Sequence, residues 1–317
     1  MSSFFELGFL FEIMYNQGFE YWVQWQVPVC ALNFIIPAVV VLKYLRKEKK
    51  EDALSIRSID FLWSCCWRHL NPIWLLIYRA FAFVCLASML YQMVLIDGPF
   101  AFYFYTQWTF ALVILYFAMA TVISAYGCWT STNKPSSADV TESDGEEEFE
   151  DEMNLQSLHS RKEIQPKLGS WGYLMQAMYH TCAGASVLTD LVFWFLLVPQ
   201  GNEQFEITLL IGGLHTVNVV FLIGDTALNV IPFTWFGFSY FVLWSCLYIT
   251  FQWTLHLCGF MKWWPYPFLE LNTPWAPLWY LGVTLFHLPC YWIYTMLVQA
   301  KICLLPKLFP HVYVRLN

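Results

Sequence analysis

The sequence predicts an all-α polytopic membrane protein with seven transmembrane helices, and three observations predict it. Apolar runs of about 20 residues, the length at which a helix crosses the hydrocarbon layer, recur along the chain. Only 12% of the 317 residues are charged, against about a quarter in a soluble domain, while 58% are apolar and mean hydropathy is +0.49. The basic residues also segregate: with seven spans, all of the 16 Lys and Arg except Lys262 and Arg79 fall on one side of the membrane. The alternating segments of about ten residues that mark a membrane β-barrel are absent.

Residues 1–21 carry Glu6, Glu12 and Glu20 and lack a basic stretch leading to a small-residue cleavage site, so they read as an interfacial segment rather than a cleavable signal. The spans are expected at Trp22–Leu45, Ile73–Ile96, Phe102–Gly127, Tyr173–Val198, Ile207–Ile231, Phe233–Leu257 and Trp275–Val298. Spans one to three thus fill 22–127 and spans four to seven 171–300. Residues 128–170 form the long connector, and 301–317 form a tail. Pro28 and Pro37 lie inside the first span, and Asp97-Gly-Pro reads as a tight turn between the second and third. The basic cluster Lys43–Lys50 following the first span puts that side in the cytosol. The N-terminus is then lumenal or outside and the C-terminus cytosolic, in the endoplasmic reticulum or plasma membrane.

Ser136–Met153 holds nine acids and no base, so the net charge of −7 belongs to this stretch, which reads as a disordered cytosolic loop. Thr141 and Ser143 each have an acid three residues on, the pattern that acidophilic kinases accept; a solvated spacer is the plainer alternative. The ten cysteines include no C-x-x-C pair, and most lie within apolar spans as small hydrophobes. Cys65, Cys66, Cys128 and Cys303 border spans, where S-acylation is chemically open. No repeat, phosphate-binding loop or nucleic-acid-binding surface is present, and no resident cofactor is expected.

Polar residues inside the spans are the functional candidates, because hydrocarbon makes them costly. Gly213–Asp225 contains His215, Asn218 and Asp225 at spacings that share one face of a continuous helix. At about 1.5 Å per residue, Thr106, Thr109, Asp190, His215, Asn218, Gln252 and His256 fall in one outer-leaflet layer. Arg79 and Asp225 instead share a depth near the cytosolic side, which predicts a buried structural ion pair. A threonine hydroxyl becomes a nucleophile when an imidazole takes its proton, and a carboxylate or carboxamide can orient that imidazole. Thr106 with His215, supported by Asn218 or Asp190, is therefore compatible with acyl transfer or ester hydrolysis on a lipid. The alternative is that the layer only hydrogen-bonds helices together. A haem electron carrier is a third reading, since His180 and His287 lie near mid-bilayer and His215 and His256 nearer the outside, but His180 and His287 have no matching partners for a second site.

The segments Tyr105-Thr-Gln-Trp-Thr-Phe, His215-Thr-Val-Asn and Trp264-Pro-Tyr-Pro-Phe-Leu-Glu270 resemble the rolling-stone proteins. They also resemble the wider androgen-induced and androgen-dependent transmembrane hydrolases, and the chain is most similar to the plant branch of that group. The resemblance covers about 74–301. It implies a six-helix core with the first span as an addition, and hydrolysis of fatty acid esters of hydroxy fatty acids. It also implies a catalytic threonine at Thr106 and a catalytic histidine at His215. The chain departs at Gly212, where the human-type hydrolases carry a second histidine. Rolling-stone members with the same histidine-to-asparagine motif imply a role in cell fusion instead, so a non-enzymatic membrane scaffold stays open beside the hydrolase.

Overall fold

The computed structural model describes residues 19–48, 59–68, 70–132, 170–200 and 208–313. After a helical turn at Phe19–Trp22 come α1 (Gln26–Glu48), α2 (Pro72–Asp97), α3 (Tyr105–Thr132) and α4 (Ser170–Val192). There follow α5 (Leu209–Leu214), α6 (Val217–Leu228), α7 (Phe238–Leu257) and α8 (Ala276–Leu308). No strand occurs among the described residues. The chain is an all-α polytopic membrane protein. Among the described residues, six spans are long and apolar enough to cross a membrane: α1, α2, α3, α4 with its extension, α5–α6 taken together, and α8. The remaining expected span, the sixth in chain order, corresponds to α7, which has 20 residues. Its apolar character is diluted by Tyr240, Trp244, Ser245, Tyr248, Gln252 and His256.

Local chemistry sets several boundaries. Pro72 opens α2 where its missing N–H is no loss, and the Asn71 side chain caps the helix by accepting from the Ile73 amide at 3.0 Å. Gly98, at φ +62°, ends α2 in the left-handed region that a side chain resists, and Pro99 starts a 3-10 turn, Gly98–Tyr103, leading into α3. Thr208 caps α5 through the Ile211 amide.

Helix α4 stands at the centre. Its residues from Tyr179 to Asp190 are buried on every side, and it packs on α3, α6, α7 and α8. Helices α2, α3, α5 and α6 group on one side of it; α1, α7 and α8 group on the other. Close approach relies on small residues: a Cβ on Gly184 of α4 would lie 2.5 Å from the Phe241 ring of α7.

One expectation changes, and two segments outside the expected spans join the bundle. The fifth span is not one helix: it breaks at His215 and Thr216, so His215 ends α5 and Asn218 and Asp225 belong to α6. Residues 301–308, expected in the tail, continue α8. The connector before α2 is partly built into the bundle: Leu62 is buried, the Cys66 amide donates to Leu228 O at 2.9 Å, and the Arg68 amide donates to Val312 O at 2.7 Å. Residues 1–18 and most of the 128–170 connector, including Thr141 and Ser143, lie outside the described residues.

Candidate functional site

A cavity of about 320 Å³ lies among α1, α4, α7 and α8. Its walls are mainly apolar, with Val41, Leu188, Val192, Val242 and Ile249 among them, and Val40, Leu285 and Leu288 at its edge are exposed on the outside of the bundle. The polar groups reaching it include Thr106, Thr189, Ser245, Tyr248, Tyr266 and His287.

Thr106 is placed by the loop that follows α7. Pro265 and Pro267 hold Tyr266 extended, at φ −123° and ψ 115°, as the residue before a proline must be. The Tyr266 hydroxyl accepts from the Tyr105 amide at 3.1 Å, satisfying one free donor at the start of α3, and it also pairs with the Thr106 hydroxyl. His256 anchors the same loop: its ring nitrogens lie 2.8 Å from Gln252 O and 3.1 Å from Trp263 O, and it stacks on Trp264 at 3.8 Å. Gln252 is likewise committed, donating to Tyr103 O at 2.6 Å.

His215 sits at two coupled irregularities. The helix break at 215–216 frees its carbonyl, which accepts from the Trp194 indole at 2.9 Å. Trp194 lies within a π-helical turn, Phe193–Leu197, that extends α4. The same turn presents Phe193, which stacks flat on the imidazole at 3.6 Å and 3°. The ring also faces the backbone of Thr189, and its buried Nδ1 has no hydrogen-bond partner among the described residues. Asn218 donates to Asp190 Oδ1 at 3.2 Å, Thr189 reaches the same oxygen at 3.3 Å, and Oδ2 of Asp190 is buried without a partner. The structure thus brings Asn218 and Asp190 together with His215 nearby through Thr189. Thr106 and His215 share Thr189 as a neighbouring wall, but among the described residues no hydrogen bond joins them, and His215 does not line the cavity.

At the opposite end of α6, Arg79 and Asp225 are both fully buried, and Nε donates to Oδ1 at 2.7 Å. Arg79 Nη1 also donates to Leu62 O at 2.8 Å and Ser124 Oγ at 2.7 Å. Asp225 Oδ2 accepts from Tyr116 at 2.6 Å and Asn229 at 2.7 Å. Just outside the spans at this end, the Cys66 thiol donates to Ala227 O at 3.1 Å, and the neighbouring Cys66 and Lys301 draw the Cys65 thiol below its usual value. Among the residues bordering spans where S-acylation is open, Cys303 is exposed and Cys128 half-buried.

Sequence reasoning passed over a third group. His287 Nδ1 lies 2.8 Å from Val283 O and its Nε2 2.7 Å from Ser245 Oγ, while Tyr105 Oη is 2.7 Å from the same Oγ. Ser245 and His287 are each about three turns from the end that α7 and α8 share, so matched depth was the available signal. Of the remaining histidines, His180 bonds Tyr291 at 2.9 Å, so each of the four has its own neighbours. No cluster of three or more His, Cys, Asp or Glu able to hold a metal ion occurs among the described residues. No family model, curated protein or solved structure matches the chain.

Proposed function

We propose that the chain is a membrane-embedded lipid-ester hydrolase, of the kind implied by its resemblance to the rolling-stone and androgen-induced group. The observation that carries this reading is the apolar cavity with Thr106 in its wall, beside exposed residues where acyl chains would lie. Its occupant is a membrane lipid whose long acyl chain fills the apolar part and whose ester lies at the polar end. Under this reading Thr106 is the acyl acceptor, His215 the base, and Asn218 and Asp190 the groups that orient it. The N-terminus lies outside or lumenally, and the site opens to the outer leaflet.

A second reading, a non-enzymatic scaffold or cell-fusion protein, is supported by a specific contact set. The Thr106 hydroxyl is engaged by Tyr266 and the imidazole of His215 is covered by Phe193, which is what helix-to-helix glue requires. Hydrolysis of long-chain esters by the purified protein in nanodiscs separates the two. The hydrolase reading expects turnover well above that of empty nanodiscs, of which the part carried by Thr106 falls about 100-fold in Thr106→Ala, the usual scale for losing a group used in the transition state. Turnover indistinguishable from empty nanodiscs establishes the scaffold.

A further inference from the structure

Ser245 and His287 form a hydroxyl–imidazole pair inside the same cavity. The Val283 carbonyl can only accept, so the His287 hydrogen sits on Nδ1, and Nε2 of the neutral ring presents a lone pair to Ser245 Oγ at 2.7 Å. The serine hydrogen therefore points at Nε2, and Tyr105, 2.7 Å away, donates its phenolic hydrogen to Oγ. Both Ser245 and His287 line the cavity, where Val242, Ile249 and Leu288 supply apolar surface around them. A hydroxyl held on the free nitrogen of an imidazole whose other nitrogen is fixed is the arrangement that activates a serine nucleophile. Here a backbone carbonyl sets the tautomer where a carboxylate often does.

We propose that Ser245 is a second nucleophile, with His287 as its general base and Tyr105 as a positioning donor, acting on long-chain acyl esters. The substrate class rests on the lipid-ester reading above. In the first step Ser245 Oγ bonds to the ester carbonyl carbon and its proton passes to His287 Nε2. The tetrahedral intermediate then expels the alcohol, which takes that proton, leaving acyl-Ser245. Water attacks the acyl carbon, gives a proton to Nε2, and the collapse returns that proton to Ser245 as the fatty acid leaves.

The test is covalent labelling of the full-length protein in nanodiscs with a long-chain alkyl fluorophosphonate, followed by peptide mapping of the adduct. The expected result is an adduct on Ser245 in the wild-type protein, retained in Thr106→Ala. Labelling should slow at least 100-fold in His287→Gln and less in Tyr105→Phe, each variant first shown to be monodisperse with an unchanged melting temperature. Mapping the wild-type protein needs no variant, so absence of a Ser245 adduct overturns the proposal, as does a Ser245 adduct whose rate ignores His287→Gln. An adduct on Thr106 alone overturns it while leaving the Thr106 assignment standing. An adduct on Ser245 alone upholds it and removes Thr106 from the chemistry.

Discussion

Asp225 receives hydrogen bonds on both carboxylate oxygens, from Arg79, Tyr116 and Asn229, whereas Asp190 receives them on Oδ1 alone and leaves Oδ2 buried and unpartnered. The surroundings differ in the same direction. Around Asp225 the α6 helix is regular and Arg79 finds Leu62 and Ser124 for its remaining hydrogens. Around Asp190 there are a π-turn, a helix break and the free Nδ1 of His215, and Thr189 beside it lines an open cavity. A buried charge that is fully compensated holds helices in register; incompletely satisfied polar groups beside irregular backbone are the pattern of sites that meet a ligand. The comparison separates a fully satisfied end of the bundle from one whose buried polar groups are not all satisfied.

The largest effect should come from breaking the satisfied end. Arg79→Ala or Asp225→Asn leaves one buried charge uncompensated and is expected to lower stability by about 3–5 kcal/mol, read as a fall in melting temperature in detergent. The double change Arg79→Met with Asp225→Leu should recover part of that loss, since it strands no charge while Tyr116, Asn229, Ser124 and the Leu62 carbonyl lose their partners. Single changes with no measurable effect would remove the distinction between the two ends.

Next comes the seam between the central helix and α7. Gly184→Ala puts a methyl 2.5 Å from Phe241, a fully buried ring that also lies 4.6 Å from the His287 ring. Phe241 must shift against its neighbours, and overpacking of this kind typically costs about 1–3 kcal/mol. The melting temperature should drop, and Ser245 labelling should fall with it because His287 is displaced.

Much of this contrast was legible in residue types, and some was not. Arg79 and Asp225 stand out because a charge in hydrocarbon needs an opposite charge at its own depth, so two isolated charges in spans point to each other. Apolar length marks six spans among the described residues, and the seven-span expectation rests as well on the segregation of Lys and Arg. The break at His215–Thr216 has only a soft marker in Gly212-Gly213: no proline interrupts Ile207–Ile231, and the indole that accommodates the freed carbonyl lies 21 residues away in the π-helical turn beyond α4. Ser245 and His287 were obscured for the opposite reason. Serine is inexpensive in a helix, where its hydroxyl can return to the preceding turn, so nothing in its sequence context singles it out. The same holds for Leu62, whose carbonyl serves Arg79 from the connector before α2.

A smaller effect is expected at the unsatisfied aspartate. Asp190→Asn keeps an oxygen for Asn218 and Thr189 and leaves no countercharge stranded, because no basic group is bonded to Asp190 among the described residues. Stability should change by no more than about 1 kcal/mol, the scale of one neutral hydrogen bond. That is several-fold less than Asp225→Asn. Equal losses at the two aspartates would show that Asp190 is as structural as Asp225.

The smallest effect on stability should accompany one of the clearest effects on function. Val242 is buried in the cavity wall, and Val242→Phe adds a ring's volume to a space of about 320 Å³. In a close-packed core such an insertion destabilises by about 1–3 kcal/mol, because side chains leave their rotamers to make room. Here room exists, so the melting temperature should hold within the equivalent of about 0.5 kcal/mol, the range seen at permissive positions. Long-chain fluorophosphonate labelling should be blocked, while a short methyl fluorophosphonate still reaches Ser245. A destabilisation as large as that of Gly184→Ala would mean that the space is packed in the working protein, and the contrast between a closed structural end and an open chemical end would fail at its open end.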